Sequence, residues 1–140
     1  MRRASFSLVT GLVLSGLFVA AVVSSAQTRG GSPAAAKVKG PVASTKASIT
    51  AGGAAFMKYC AFCHNTDAKG NGPLAPKDSN PPNLVDATWI HGSADGDIFD
   101  VVSNGAKDTK MVGFKGKMPD QDLWHIINYL RSLGPKDAKR

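Results

Sequence analysis

Both cysteines of this chain fall within one run of five residues, Cys60-Ala61-Phe62-Cys63-His64. This placement constrains the fold more than any other feature, because no thiol remains for a disulfide framework or a four-thiolate metal site. Cys-x-x-Cys-His is the local pattern that accepts a covalently attached c-type haem. Two thiols three positions apart on a helical turn can each add to a porphyrin vinyl group, and the adjacent His64 imidazole is then held as an iron ligand. The competing reading is a vicinal disulfide or thioredoxin-like dithiol. Such motifs follow a strand in a βαβ unit, and nothing strand-like precedes Cys60. The expectation is one haem c, joined through Cys60 and Cys63.

Residues 1–26 read as an export signal, with Arg2 and Arg3 ahead of the apolar stretch Phe6 to Val23 and a small-residue site at Ser24-Ser25-Ala26. Cleavage there leaves Gln27 first and places the protein in the periplasm. The alternative is an uncleaved membrane anchor, since the apolar stretch exceeds a minimal signal core. No cysteine lies near enough to this stretch to be lipidated.

Residues 27–48 are rich in Ala, Gly, Ser, Pro, Lys and Thr, a composition that buries little apolar surface, and they are expected to form a flexible basic linker. The formal charge of +7 is unevenly spread: +2 in the signal, +4 in the linker, +2 in the tail 135–140, and about −1 over 49–134. The basicity therefore sits at the ends, where it serves solubility or attracts an acidic partner or anionic lipid. Nucleic acid is excluded as a partner, because these residues share no folded platform and the chain is exported.

Residues 49–134 make one small domain whose core is marginal without a cofactor. Thr50 is expected to cap a helix through Ala51, Ala54, Ala55, Phe56, Met57 and Tyr59, with Gly52 permitting close packing. A last helix should begin near Pro119 to Asp122, bury Leu123, Ile126, Ile127, Leu130 and Leu133, and stop at Gly134-Pro135. A shorter helix is expected over Asp95 to Ser103, capped by Ser93 or Asp95. Between them, Gly70, Gly72, Pro73, Pro76, Pro81, Pro82 and Gly92 predict a long irregular segment, and no stretch alternates like a strand.

These features resemble the class I c-type cytochromes, especially small exported mono-haem cytochromes and the haem domains of bacterial dehydrogenases and oxidases. The match covers about residues 49–134 and rests on Gly52 and Phe56 ahead of Cys-x-x-Cys-His, Gly70-Asn71-Gly72-Pro73-Leu74, Pro82-Asn83-Leu84, Asn104-Gly105, Met111-Val112-Gly113-Phe114 and the helix from Trp124 to Leu133. The resemblance implies an all-α cytochrome c fold in which Gly52 and Phe56 meet Ile126 and Tyr129. It implies Met111 as second axial ligand, although Val112 stands where the family often has proline. It also implies that the Pro82 carbonyl orients the His64 imidazole, and that Trp89 either bonds a haem propionate or packs in the core.

Met118-Pro119 offers the literal Met-Pro dipeptide, but Met118 opens the last helix, whereas the loop after Met111 can carry a thioether to the iron. Met118 and Met57 are therefore expected in the core. His91, in a loop, is read as a group near the haem edge, and His125, on a helix, as a surface or interface residue. Either could replace the thioether in a bis-histidine site.

His/Met ligation implies electron transfer without an open iron position, at a higher potential than a bis-histidine site. No paired carboxylates, nucleophile constellation or phosphate loop appears, so the chain reads as an electron carrier, not an enzyme. Its expected partners are redox proteins, an electron donor and an acceptor, with membrane contact only through an uncleaved N-terminal helix. Lys107, Lys110, Lys115 and Lys117 around Met111 read either as a docking face or as a solvated loop. Asp95, Asp97 and Asp100 read as helix-capping acids exposed to solvent. The alternatives are a dedicated haem subunit of a periplasmic dehydrogenase or oxidase and, if Met111 does not bind iron, a haem enzyme or gas sensor.

Overall fold

A computed structural model describes residues 31–134 apart from Thr88. The export signal, the first four linker residues and the basic tail lie outside the described residues. Among the described residues, four helices follow a 3-10 turn at Ala35–Lys37: α1 (Lys46–Tyr59), α2 (Ala61–His64), α3 (Asp95–Asn104) and α4 (Asp120–Leu133). Among the described residues there is no strand, only isolated bridges pairing Gly105 with Val112 and Lys115 with Met118. The expected all-α fold is the one found.

Helix α1 starts five residues before the expected Ala51. Thr45 is extended and its Oγ1 accepts the Ser48 N–H at 3.1 Å, so Thr45 is the cap and Thr50 is an interior residue. The domain boundary expected after Ser48 thus falls inside a helix, and Ser48 itself is buried.

Helices α1 and α4 cross at Gly52, where a Cβ would overlap the His125 carbonyl oxygen. Only a residue without a side chain lets the backbones approach this closely. Phe56 then reaches Tyr129, ring centroids 5.5 Å apart. On α4, Leu123, Ile126, Ile127 and Leu130 recur at helical spacing and are buried, as expected of an amphipathic helix. Each such side chain contributes about 1.5–3 kcal/mol. Leu133, expected on the same stripe, is exposed in the final turn, and Met57, expected in the core, is exposed on α1.

Residues 31–45 are not a free linker where the structure describes them. Asn128 Nδ2 donates to the Val42 and Ala43 carbonyls at 3.2 and 3.4 Å, and Gly40 passes against the Trp124 ring. With few large apolar side chains, this segment is held by its backbone, which composition does not reveal.

The chain between α2 and α3 is irregular, as the glycines and prolines predicted. It is hung on the Cys-x-x-Cys-His turn by backbone bonds: Leu74 N–H to Phe62 O, Gly72 N–H to Cys63 O and Gly70 N–H to His64 O, at 2.8 to 3.0 Å. Gly70 has φ +87°, and a Cβ there would overlap the Pro81 carbonyl. This close fit brings the Pro81-Pro82 segment beside His64.

Candidate functional site

A cavity of about 260 Å³ opens beside the Cys-x-x-Cys-His turn. Cys60, Cys63, His64 and Met111 all line it, with Ile98, Val102, Phe114 and Leu130 supplying apolar wall. Helix α2 fixes the first three: His64 N–H donates to Cys60 O at 2.9 Å, so the two thiols and the imidazole share one turn.

Burial holds the His64 imidazole below its ordinary pKa, and the Pro82 carbonyl opposes this in part. The ring is therefore neutral near pH 7, the form that ligates a metal. Its Nδ1 is buried without a partner in hydrogen-bond geometry. The Pro82 carbonyl therefore acts on the ring without forming a formal hydrogen bond. Pro82 is exposed as a residue, yet lines the same cavity as His64.

Burial, and then the neighbouring Cys63, pushes the Cys60 thiol up to about 12. Cys60 is thus a protonated thiol near pH 7, poorly suited as an ionic metal ligand. The donor set fits a haem: two thiols for attachment, a neutral imidazole and a thioether for the iron, and an apolar wall.

The loop carrying Met111 hangs from the C-terminal end of α3. Phe114 N–H donates to Val102 O at 2.9 Å, Lys115 N–H to Ser103 O at 3.0 Å, and Ala106 N–H to Met111 O at 3.2 Å. Met118 is instead buried in the core and does not line the cavity. His91 and Trp89 do line it, both half-buried. His125 does not; its Nδ1 pairs with Ser48 Oγ at 2.7 Å in the α1–α4 interface.

All four lysines near Met111 are exposed, and Lys110 reaches the cavity rim. The expected set of exposed acids on α3 is not found. Asp95 pairs with Arg131 at 2.8 Å, and Asp97 is buried, its Oδ2 accepting the Ala94 N–H at 3.1 Å. Only Asp100 of the three is exposed.

Sequence reasoning missed Arg131, which bonds Asp95 and the Ser93 carbonyl and lies 5.6 Å from the Trp89 ring centroid. Its signal in the sequence, a basic residue in a last helical turn, reads only as a partner for the helix dipole. Among the described residues no group of three or more His, Cys, Asp or Glu side chains offers a separate metal site.

The chain is similar to the Cbb3-type cytochrome c oxidase subunit FixP of Bradyrhizobium sp. strain ORS 278, 30% identical over 84 residues that make 60% of this chain and 27% of the relative. It is also similar to the CcoP subunit of Cereibacter sphaeroides, 29% identical over 89 residues, 63% of this chain and 29% of that one. The chain spans under a third of the length of these curated relatives. Among solved structures, cytochrome cL from Methylophaga aminisulfidivorans superposes with a TM-score of 0.54 at 25% identity, covering 64% of this chain and 55% of that chain. A chain of the Kuenenia stuttgartiensis reducing HAO-like protein complex shares the fold, with a TM-score of 0.62 at 23% identity over 71% of this chain and 49% of that one. Residues 47–130 match the profile described as cytochrome C oxidase, cbb3-type, subunit III. That span takes in most of both crossing helices and every residue of the donor set, and with it the chain belongs to this family of c-type cytochrome domains.

Proposed function

We propose that this chain is an exported mono-haem electron carrier of an oxidase or dehydrogenase chain, with haem c joined covalently through Cys60 and Cys63 and its iron ligated by His64 and Met111. The observation that carries the reading is that these four side chains line one cavity while Met118 and His125 lie outside it. When bound, haem supplies a one-electron couple at its iron.

The chain's own residues account for the rest. His64 is kept neutral by burial, which outweighs the opposing pull of the Pro82 carbonyl and favours ligation over protonation. Met111, at the cavity wall, would offer a bound haem iron a soft thioether, a donor that favours the reduced state over oxygen or substrate binding. Ile98, Val102 and Leu130 give the cavity an apolar wall, a setting that would favour the reduced iron of a bound haem. Residues 1–26 direct export to the periplasm, either cleaved or retained as an anchor; among the described residues no helix is long and apolar enough to cross a membrane.

A second reading is supported by the relatives. They are named as oxidase subunits, and this chain matches less than a third of their length. A dedicated haem subunit of a periplasmic oxidase or dehydrogenase would share this domain. Stable copurification with a catalytic subunit would favour it over a free carrier.

The test is the purified exported protein in alkaline pyridine, followed by a redox titration. One haem c per chain, retained through acid extraction, and a single one-electron wave above the range of bis-histidine sites are expected. A colourless protein, or haem lost on extraction, would overturn the proposal.

A further inference from the structure

We propose that residues 31–45 are a positioning element for the Met111 loop: the segment clasps α3 onto α4, and α3 is the frame from which that loop hangs. The inference rests on Met111 as iron ligand and extends it to a part of the chain outside the 47–130 family match.

Three observations place the clasp. In the first turn of α3, a Cβ on Gly96 would overlap the Ala35 carbonyl oxygen and lie 2.9 Å from Val38 Cβ, so the segment needs a bare backbone there. On α4, Asn128 donates to the Val42 and Ala43 carbonyls, and a Cβ on Gly40 would lie 2.8 Å from Trp124 Cε3. Gly31 lies against the buried Asp97 carboxylate. One continuous segment therefore spans both helices.

Helix α3 also meets α4 directly, with Ile98 and Val102 in the same core as Leu123, Ile127 and Leu130. The Phe99 and Trp124 rings stack at 4.4 Å, and Asp95 pairs with Arg131. At its far end, α3 accepts the Phe114 and Lys115 N–H groups through Val102 and Ser103, and a Cβ on Gly113 would lie 2.7 Å from Asn104 C. A shift of α3 relative to α4 must therefore carry the Met111 loop with it, since packed elements move as units.

The experiment uses the full haem-loaded protein and G96A. Alanine is a better helix former than glycine, so a purely local effect would strengthen α3, whereas eviction of the clasp would loosen it. Trypsin cleavage after Lys37 and Lys39 is expected to rise on the order of tenfold in G96A. The affinity of the oxidised protein for added imidazole, which competes with Met111, is expected to rise about tenfold as the open loop becomes more populated. Helical circular dichroism and the pyridine spectrum should not change.

If G96A does not fold, Asn128→Ala decides by the same two readouts. Equal cleavage at Lys37 and Lys39 in the wild type and the variant, or equal imidazole affinity, would overturn the proposal. A wild type without the far-red sulfur-to-iron band would overturn the ligand assignment and this proposal with it. A band that is present with unchanged imidazole affinity overturns this proposal alone.

Discussion

The α1–α4 crossing and the cavity half of the domain are held by different means. At the crossing, side chains interdigitate: Phe56, Leu123, Ile126 and Ile127 are each no more than 1% exposed, and Gly52 sets the approach. Around the cavity, the segments between α2 and α3 and between α3 and α4 are held by backbone bonds to helix ends, with the cavity where a core would otherwise be. A periodic apolar face specifies a structure that stands without a cofactor. An irregular segment hung on turns needs something in the middle to pack against.

Replacing both Cys60 and Cys63 by alanine should break the symmetry most strongly. Without an attached group, the cavity wall is exposed, at a cost of about 5 kcal/mol or more, equivalent to several core side chains. Hydrogen exchange should then show the loops 65–94 and 105–118 opened while amides in α1 and α4 keep residual protection; uniform loss across both halves would contradict the comparison. Phe56→Ala attacks the other half and should cost about 3–5 kcal/mol in denaturant unfolding. Arg131→Ala should cost about 2 kcal/mol, between an exposed and a fully buried pair, and should loosen the segment around Trp89, seen as a change in Trp fluorescence.

Acid sharpens the comparison with a smaller effect. His64 in the haem-free chain has its pKa lowered by burial from the ordinary 6.5. Above pH 6.5 both folded and unfolded chains hold it neutral, and stability is unaffected by it. Below 6.5 the unfolded chain takes up a proton that the folded chain resists, so stability falls by up to about 1.4 kcal/mol per pH unit until the lowered folded value is reached. In His64→Gln that part of the slope should vanish.

Legibility in the sequence follows the same division. The α4 stripe and the Gly52 approach could be read because helical periodicity and small residues leave a one-dimensional trace. The shared turn of Cys60, Cys63 and His64 was equally plain, being local. Met111 and Met118 differ in the sequence only by loop length; Met111 lines the cavity and Met118 lies in the core. The start of α1 at Lys46, the burial of Asp97 and the packing of residues 31–45 were not readable. Each depends on a backbone carbonyl, a cap or a glycine meeting a distant residue, and such pairings leave no periodic signal. Asn128 illustrates the point: a polar side chain on α4, it is buried and its Nδ2 donates to Ser48 Oγ at 2.9 Å.

The central claim is that Met111, and not Met118, supplies the second iron ligand. The most direct test is the far-red sulfur-to-iron absorption band of the oxidised protein in Met111→Ala and Met118→Ala. The account predicts that the band disappears in Met111→Ala, with the reduced protein then taking up carbon monoxide, and persists in Met118→Ala. A band that survives Met111→Ala would contradict it.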